Sequence, residues 1–167
     1  MNVFPETVSP DNVVAYDDKE GRMKIRESID ALESAMQEVL GSESGEMDEI
    51  NDNGLTEYLI GGAYTRVLKI PEGITIVSKL WKKPRLWIII SGTVRVTTEL
   101  GNQIIEAPYI GEAPFGSKVA LHAETEVLWA AITGLAGDVS LDEVEQHVVA
   151  NDYSELSYPW SSLEVTQ

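Results

Sequence analysis

Between positions 79 and 87 the chain reads Lys79-Leu80-Trp81-Lys82-Lys83-Pro84-Arg85-Leu86-Trp87. This is its one dense run of positive charge, and Trp81 and Trp87 interleave with the cations. Cationic side chains beside aromatic faces bind anions, sugars, nucleotides or single strands. The same residue types make hot spots at protein interfaces, and a charged loop between two strands also accounts for them. The candidate pocket or interface residues are therefore Lys79, Trp81, Lys82, Lys83, Arg85 and His122. His122 alone cannot make a metal site, and a hydrogen-bonded histidine at the core or rim is its expected role. No nucleophile elbow, P-loop or dinucleotide fingerprint occurs. The chain has no cysteine, so thiolate ligands, thiol nucleophiles and disulfides are excluded. Paired carboxylates fall only in acidic linkers or on helix surfaces. No catalytic residue and no cofactor is expected.

These residues sit among short β-rich runs: Ala63–Ile70, Gly73–Leu80, Arg85–Ile90, Thr93–Glu99, Gln103–Ala107, Lys118–Leu121 and Val127–Thr133. Gly, Pro, Asn and Ser mark the breaks, a pattern that predicts an all-β sandwich or barrel over 55–137. Ahead of it, Met23, Ile25, Ile29, Leu32, Met36, Val39 and Leu40 recur at three- and four-residue spacing. That stripe predicts a helix over 22–41, packed on the barrel's own outer face or docked to a neighbouring subunit. Residues 1–21 read as an extended arm and 42–54 as an acidic linker. Ser140-Leu141-Asp142-Glu143 is a capping box that opens a second helix within 138–150. The tail, 151–167, carries Tyr153, Leu156, Tyr158 and Trp160, so it is expected to fold back or wrap a partner.

The net charge of −16 is unevenly spread. Residues 1–54 hold 4 basic and 14 acidic side chains, 55–98 hold 7 and 2, and 99–167 hold 1 and 12. An acidic whole disfavours general nucleic-acid binding, which is dominated by phosphate contacts. No run approaches the length of a membrane span, and the first 16 residues lack a basic start with an apolar core. No membrane partner is expected.

Ile70-Pro71-Glu72-Gly73, the run ending in Gly92, and Pro114-Phe115-Gly116 resemble the two motifs of the cupin superfamily. The resemblance implies a double-stranded β-helix barrel. It also places the usual metal-ligand positions near Lys79, Trp81 and Arg85, with His122 near the last of them. None of the first three suits a divalent cation. In combination, Gly61–Arg66, Ala113–Lys118, Glu126–Trp129 and Leu141–Glu145 resemble a family of small cupin-like proteins encoded by tailed bacteriophages. Members often read Ile-His-Lys-Thr-Glu-His-Leu where this chain has Leu80–Leu86.

The fold expected is thus mainly β: a cupin-like barrel with an N-terminal helix, a short C-terminal helix and extended termini. The resemblance implies a non-enzymatic structural or accessory protein of a tailed phage. It would be made in the host cytoplasm and carried in the virion. Its partners would be other virion proteins or itself, as a homo-oligomer, with Tyr153, Tyr158 and Trp160 as attachment residues. The alternative is a metal-free cupin that binds a small anionic ligand and acts as a regulatory or host-modulating protein.

Overall fold

The computed structural model describes residues 14–15, 19–40 and 54–156. Two five-stranded antiparallel sheets face each other. One runs β1 (Val14–Ala15), β8 (Gly101–Glu106), β7 (Thr93–Thr98), β10 (Ala120–Ala123), β4 (Thr75–Val77). The other runs β2 (Leu55–Ile60), β3 (Ala63–Ile70), β11 (Val127–Gly134), β6 (Arg85–Ser91), β9 (Tyr109–Ala113). A short ladder between β5 (Leu80–Trp81) and β12 (Val149–Ala150) closes one end. This is the double-stranded β-helix, cupin-like architecture.

Strand alternation sets the inside. In β6, Arg85, Trp87 and Ile89 are buried, while Leu86 and Ile90 are exposed. In β3, Tyr64, Arg66, Leu68 and Ile70 are buried in the same phase. The core between the sheets includes Ile70, Ile76, Ile89, Val94, Val96, Ile105 and Val127, with Trp87 and Trp129 at its aromatic end. Those two rings meet edge-on at 4.9 Å, a geometry worth about 1 kcal/mol beyond the area it buries.

The turn between β6 and β7 requires glycine. Gly92 has φ +89°, and a Cβ there would lie 2.1 Å from the Glu126 carbonyl oxygen. Gly116 ends the Pro114-Phe115-Gly116 turn at φ +71°.

Helix α1 (Lys19–Leu40) packs on the outer face of the first sheet, where Ile29 is buried against Val77 and Ala120. Lys118 pins it, donating to Asp30 at 2.6 Å and Glu33 at 2.5 Å. Arg26 adds an ion pair to Glu99 and lies 4.5 Å over the Tyr153 ring. Among the described residues no helix is long and apolar enough to cross a membrane.

Several boundaries differ from the sequence-based expectation. Helix α1 begins three residues before position 22, inside the stretch read as an arm. Val14–Ala15, also in that stretch, add a two-residue edge strand beside β8. Four further strands were not expected as such: β2, β5, β9 and β12. The C-terminal helix is shorter than expected. A 3-10 turn (Leu141–Glu143) leads into α2 (Val144–Val148), and Val149–Ala150 then pair with Trp81 and Leu80. The Lys82 amide captures the Val148 carbonyl at 2.7 Å, so sheet pairing takes the backbone that the helix would have used. The capping box is present, with Glu143 accepting from the Ser140 hydroxyl at 2.7 Å. Beyond it, Tyr153 and buried Leu156 fold against Leu80 and Ala150. Residues 41–53, Tyr158 and Trp160 lie outside the described residues.

Candidate functional site

The phase of β6 sends the Arg85 side chain into the barrel, where only 4 % of it is exposed. Its guanidinium lies 4.2 Å above the Trp81 ring and 5.9 Å from that of Trp87. Nη2 donates to the Ser117 hydroxyl at 2.9 Å. Nε is buried and finds no acceptor among the described residues. Arg66 enters from β3, and its guanidinium carbon lies 5.9 Å from the centre of the Trp81 ring. Its charge is met by Glu57, 3.5 Å away, which also accepts from the Tyr64 hydroxyl. Burial, then that bond to Glu57, pushes the Tyr64 hydroxyl well above the usual phenol range, so it stays a donor.

Arg85 has no such partner. Burial first, and the neighbouring Arg66 second, push its guanidinium down to about 9. It is still charged at neutral pH, and among the described residues no carboxylate lies against it. A buried charge without a counter-ion is costly. The indole faces of Trp81 and Trp87 offset part of that cost.

Three spaces adjoin this group. A void of about 40 Å³ lies among Arg66, Trp81, Arg85, Trp87 and Trp129. Trp87, Ser117 and Val119 face a second, wider cavity of about 200 Å³, whose walls include Asn102, Gln103 and Tyr109. Trp87 and Val119 are walls of both spaces, and Ser117 joins the wider one to Arg85 by its hydrogen bond. The Asn102 Oδ1 is buried without a donor among the described residues, but its side chain shares the outward row of Thr97 and Ala120, under α1. A third cavity, about 230 Å³, lies between β2, β3 and α2, with Glu57, Tyr64, Arg66, Lys79 and Glu145 on its walls.

The structure divides the residues singled out from the sequence. Trp81 and Arg85 meet inside the barrel. Lys79 sits at the rim of the third cavity and pairs with Glu145. Lys82 reaches the Gln146 carbonyl at 3.3 Å and Glu155 at 3.6 Å. Lys83 is half-buried in the β5–β6 turn. His122 lies between inward-facing Leu121 and Ala123, so it faces away from the interior. Its Nδ1 is 2.8 Å from the Thr75 hydroxyl. Tyr153 lies under Arg26, away from the interior. Arg66, Tyr64, Glu57 and Ser117 were not anticipated. A signal for Arg66 was available: it shares the phase of Leu68 and Ile70 in its own strand.

A divalent metal, which cupin barrels commonly hold, does not fit this chemistry. An indole and two guanidiniums supply no ligand atom, and the positive charges repel a cation. Among the described residues, no three His, Asp or Glu side chains converge.

No protein-family model matches the chain, and no curated protein matches it. Solved structures do. A putative ethanolamine utilization protein Q from Salmonella typhimurium overlaps 56 % of this chain and 80 % of its own, at 17 % identity and a TM-score of 0.45. Ectoine synthase from P. lautus overlaps 64 % and 84 %, at 15 % identity and a TM-score of 0.45. An RmlC-like cupin with a double-stranded β-helix fold from Methanocaldococcus jannaschii overlaps 48 % and 78 %, at 14 % identity and a TM-score of 0.43. These neighbours include an enzyme and proteins without a stated activity. Nothing among them points to a bacteriophage.

Proposed function

We propose that this chain is a non-catalytic binding protein whose barrel captures a small carboxylate on Arg85. The single observation that carries the reading is a buried guanidinium with an unmatched Nε and no facing acid. An anion there would supply both the missing acceptor and the missing counter-charge. Charge-assisted bonds of this kind are roughly twice as strong as neutral ones. The void beside Arg85 is about 40 Å³, room for a carboxylate head rather than a bulky tetrahedral dianion. The rest of the ligand would lie in the adjoining cavity against Trp87 and Tyr109. The ligand class is a small carboxylate whose remainder packs on those two rings.

The test is a thermal-shift survey of the full chain with acetate, lactate, chloride and sulfate. A ligand that binds only the folded state at a hundredfold its Kd adds about 2.7 kcal/mol of stability. For a chain of this size that is a rise of several degrees. Acetate and lactate should both exceed chloride and sulfate. Equal small shifts from all four would reduce the effect to ionic strength and remove the reading.

A second reading is a structural or accessory component of a tailed-phage particle. It is supported by the motif resemblance and by the small space, about 40 Å³, left among Arg66, Trp81, Arg85, Trp87 and Trp129. Quantitative mass spectrometry of purified particles tests it: many copies per particle support it, and absence from particles removes it.

A further inference from the structure

We infer that Ser117 sets the specificity of the Arg85 site, its hydroxyl donating to an oxygen acceptor that the ligand carries close to its carboxylate. This deepens the binding reading proposed above and rests on it. The ligand class narrows to a small carboxylate with an ether, carbonyl or hydroxyl oxygen a few bonds from the acid.

Ser117 is buried, and its hydroxyl oxygen accepts from Arg85 Nη2 at 2.9 Å. A hydroxyl has one hydrogen as well as two lone pairs. Arg85 engages a lone pair, and the hydrogen finds no acceptor among the described residues. Accepting from a cation polarises a hydroxyl and makes it the stronger donor. A buried donor left unmatched is costly. Ser117 is also a wall of the wider cavity, about 200 Å³, in which that reading places the body of the ligand. Nearby acceptors are turned elsewhere. The Thr98 hydroxyl bonds the Gly101 carbonyl and the Leu100 amide, and Glu99 pairs with Arg26. Glu112 has the outward phase of Leu86, its partner in β6. Gln103, opposite Val96, shares the cavity without bonding Ser117.

The place of the hydroxyl does not depend on Arg85 alone. The Ser117 carbonyl accepts from the Trp81 amide at 3.2 Å, and the Gly116 amide donates to the Trp81 carbonyl at 2.9 Å. These two bonds fix the turn to β5, so the serine presents the same donor to every ligand. An alkyl carboxylate sets a methylene against that donor and leaves it unmatched. An acceptor at the same point pairs with it.

Methoxyacetate and butyrate test this. They match in charge and nearly in shape, and an ether oxygen in one stands for a methylene in the other. Both are titrated calorimetrically into the full chain and into Ser117→Ala, with Ser117→Gly in its place if the alanine variant does not fold. The ratio of the two affinities should favour methoxyacetate about fivefold more in the parent than in the variant, the worth of one neutral hydrogen bond. Equal ratios, with both acids still bound, overturn the inference and leave the carboxylate reading standing. Loss of both acids alike in the variant makes the hydroxyl a support for Arg85 and overturns the inference too. A folded parent that binds neither acid removes the reading itself, and the inference with it.

Discussion

The Arg85 guanidinium lies 4.2 Å above the Trp81 ring, inside a barrel whose related motifs place metal ligands at those positions. The pair supplies no ligand atom for a cation, and under the reading proposed above it receives an anion. Trp81 supplies a π-face that tolerates the buried charge, and the Ser117 hydroxyl accepts a hydrogen bond from Nη2.

If Arg85 serves a ligand, it should not serve stability. In anion-free buffer Arg85→Leu should melt at or above the parent temperature, because an unmatched buried charge is replaced by an apolar side chain. Denaturant unfolding checks this. A loss of more than about 2 kcal/mol would make the guanidinium a structural plug held by its aromatic neighbours.

Added zinc, manganese or iron(II) should leave the melting temperature of the full chain unchanged. Lys79, Trp81 and Arg85 provide no ligand atoms, and His122 faces away from the interior. A saturable shift that vanished with His122→Ala would reveal a site the interior geometry does not provide.

Gly92→Ala should be among the most damaging single changes. It places a methyl group 2.1 Å from the Glu126 carbonyl and puts a side chain at φ +89°. The expected loss is about 3 kcal/mol or more. Equilibrium unfolding measures it, with Gly73→Ala as the reference. Gly73 has φ +79° and open space around it, so it isolates the backbone term.

Lys118 should hold α1 in place. Burial lowers its pKa, but the bonds to Asp30 and Glu33 outweigh that, and the net direction is upward from 10.5. Lys118→Met should cost about 1–3 kcal/mol. Because the folded-state pKa is raised, this contribution is complete below pH 10.5 and is lost as pH rises beyond it. The stability gap between parent and variant should therefore be constant from neutral pH to about 10 and close above that. A gap that does not change with pH would assign the loss to packing.

Much of the barrel is legible in the sequence because its strands alternate and its turns carry Gly and Pro. The run Arg85–Ser91 announces both its strand and its inward residues. Tyr109–Ala113 does not, since Gly111 and Pro108 mask a strand that only pairing with β6 creates. The end of the second helix was misread for the same reason: Val149 and Ala150 have helical spacing, but β5 is there to pair with them. Of the site, Trp81 and Arg85 were visible as a basic and aromatic cluster. Their separation from Lys82, Lys83 and His122 depends on strand phase. The part played by Arg66 and Ser117 depends on which strands the fold brings opposite β6.

Isothermal titration of lactate into the full chain and into Arg85→Leu tests the central claim most directly. The account predicts one saturable site in the parent and no heat of binding in Arg85→Leu. Binding of equal affinity in the two proteins would contradict it, and so would a parent that takes up no carboxylate while remaining folded.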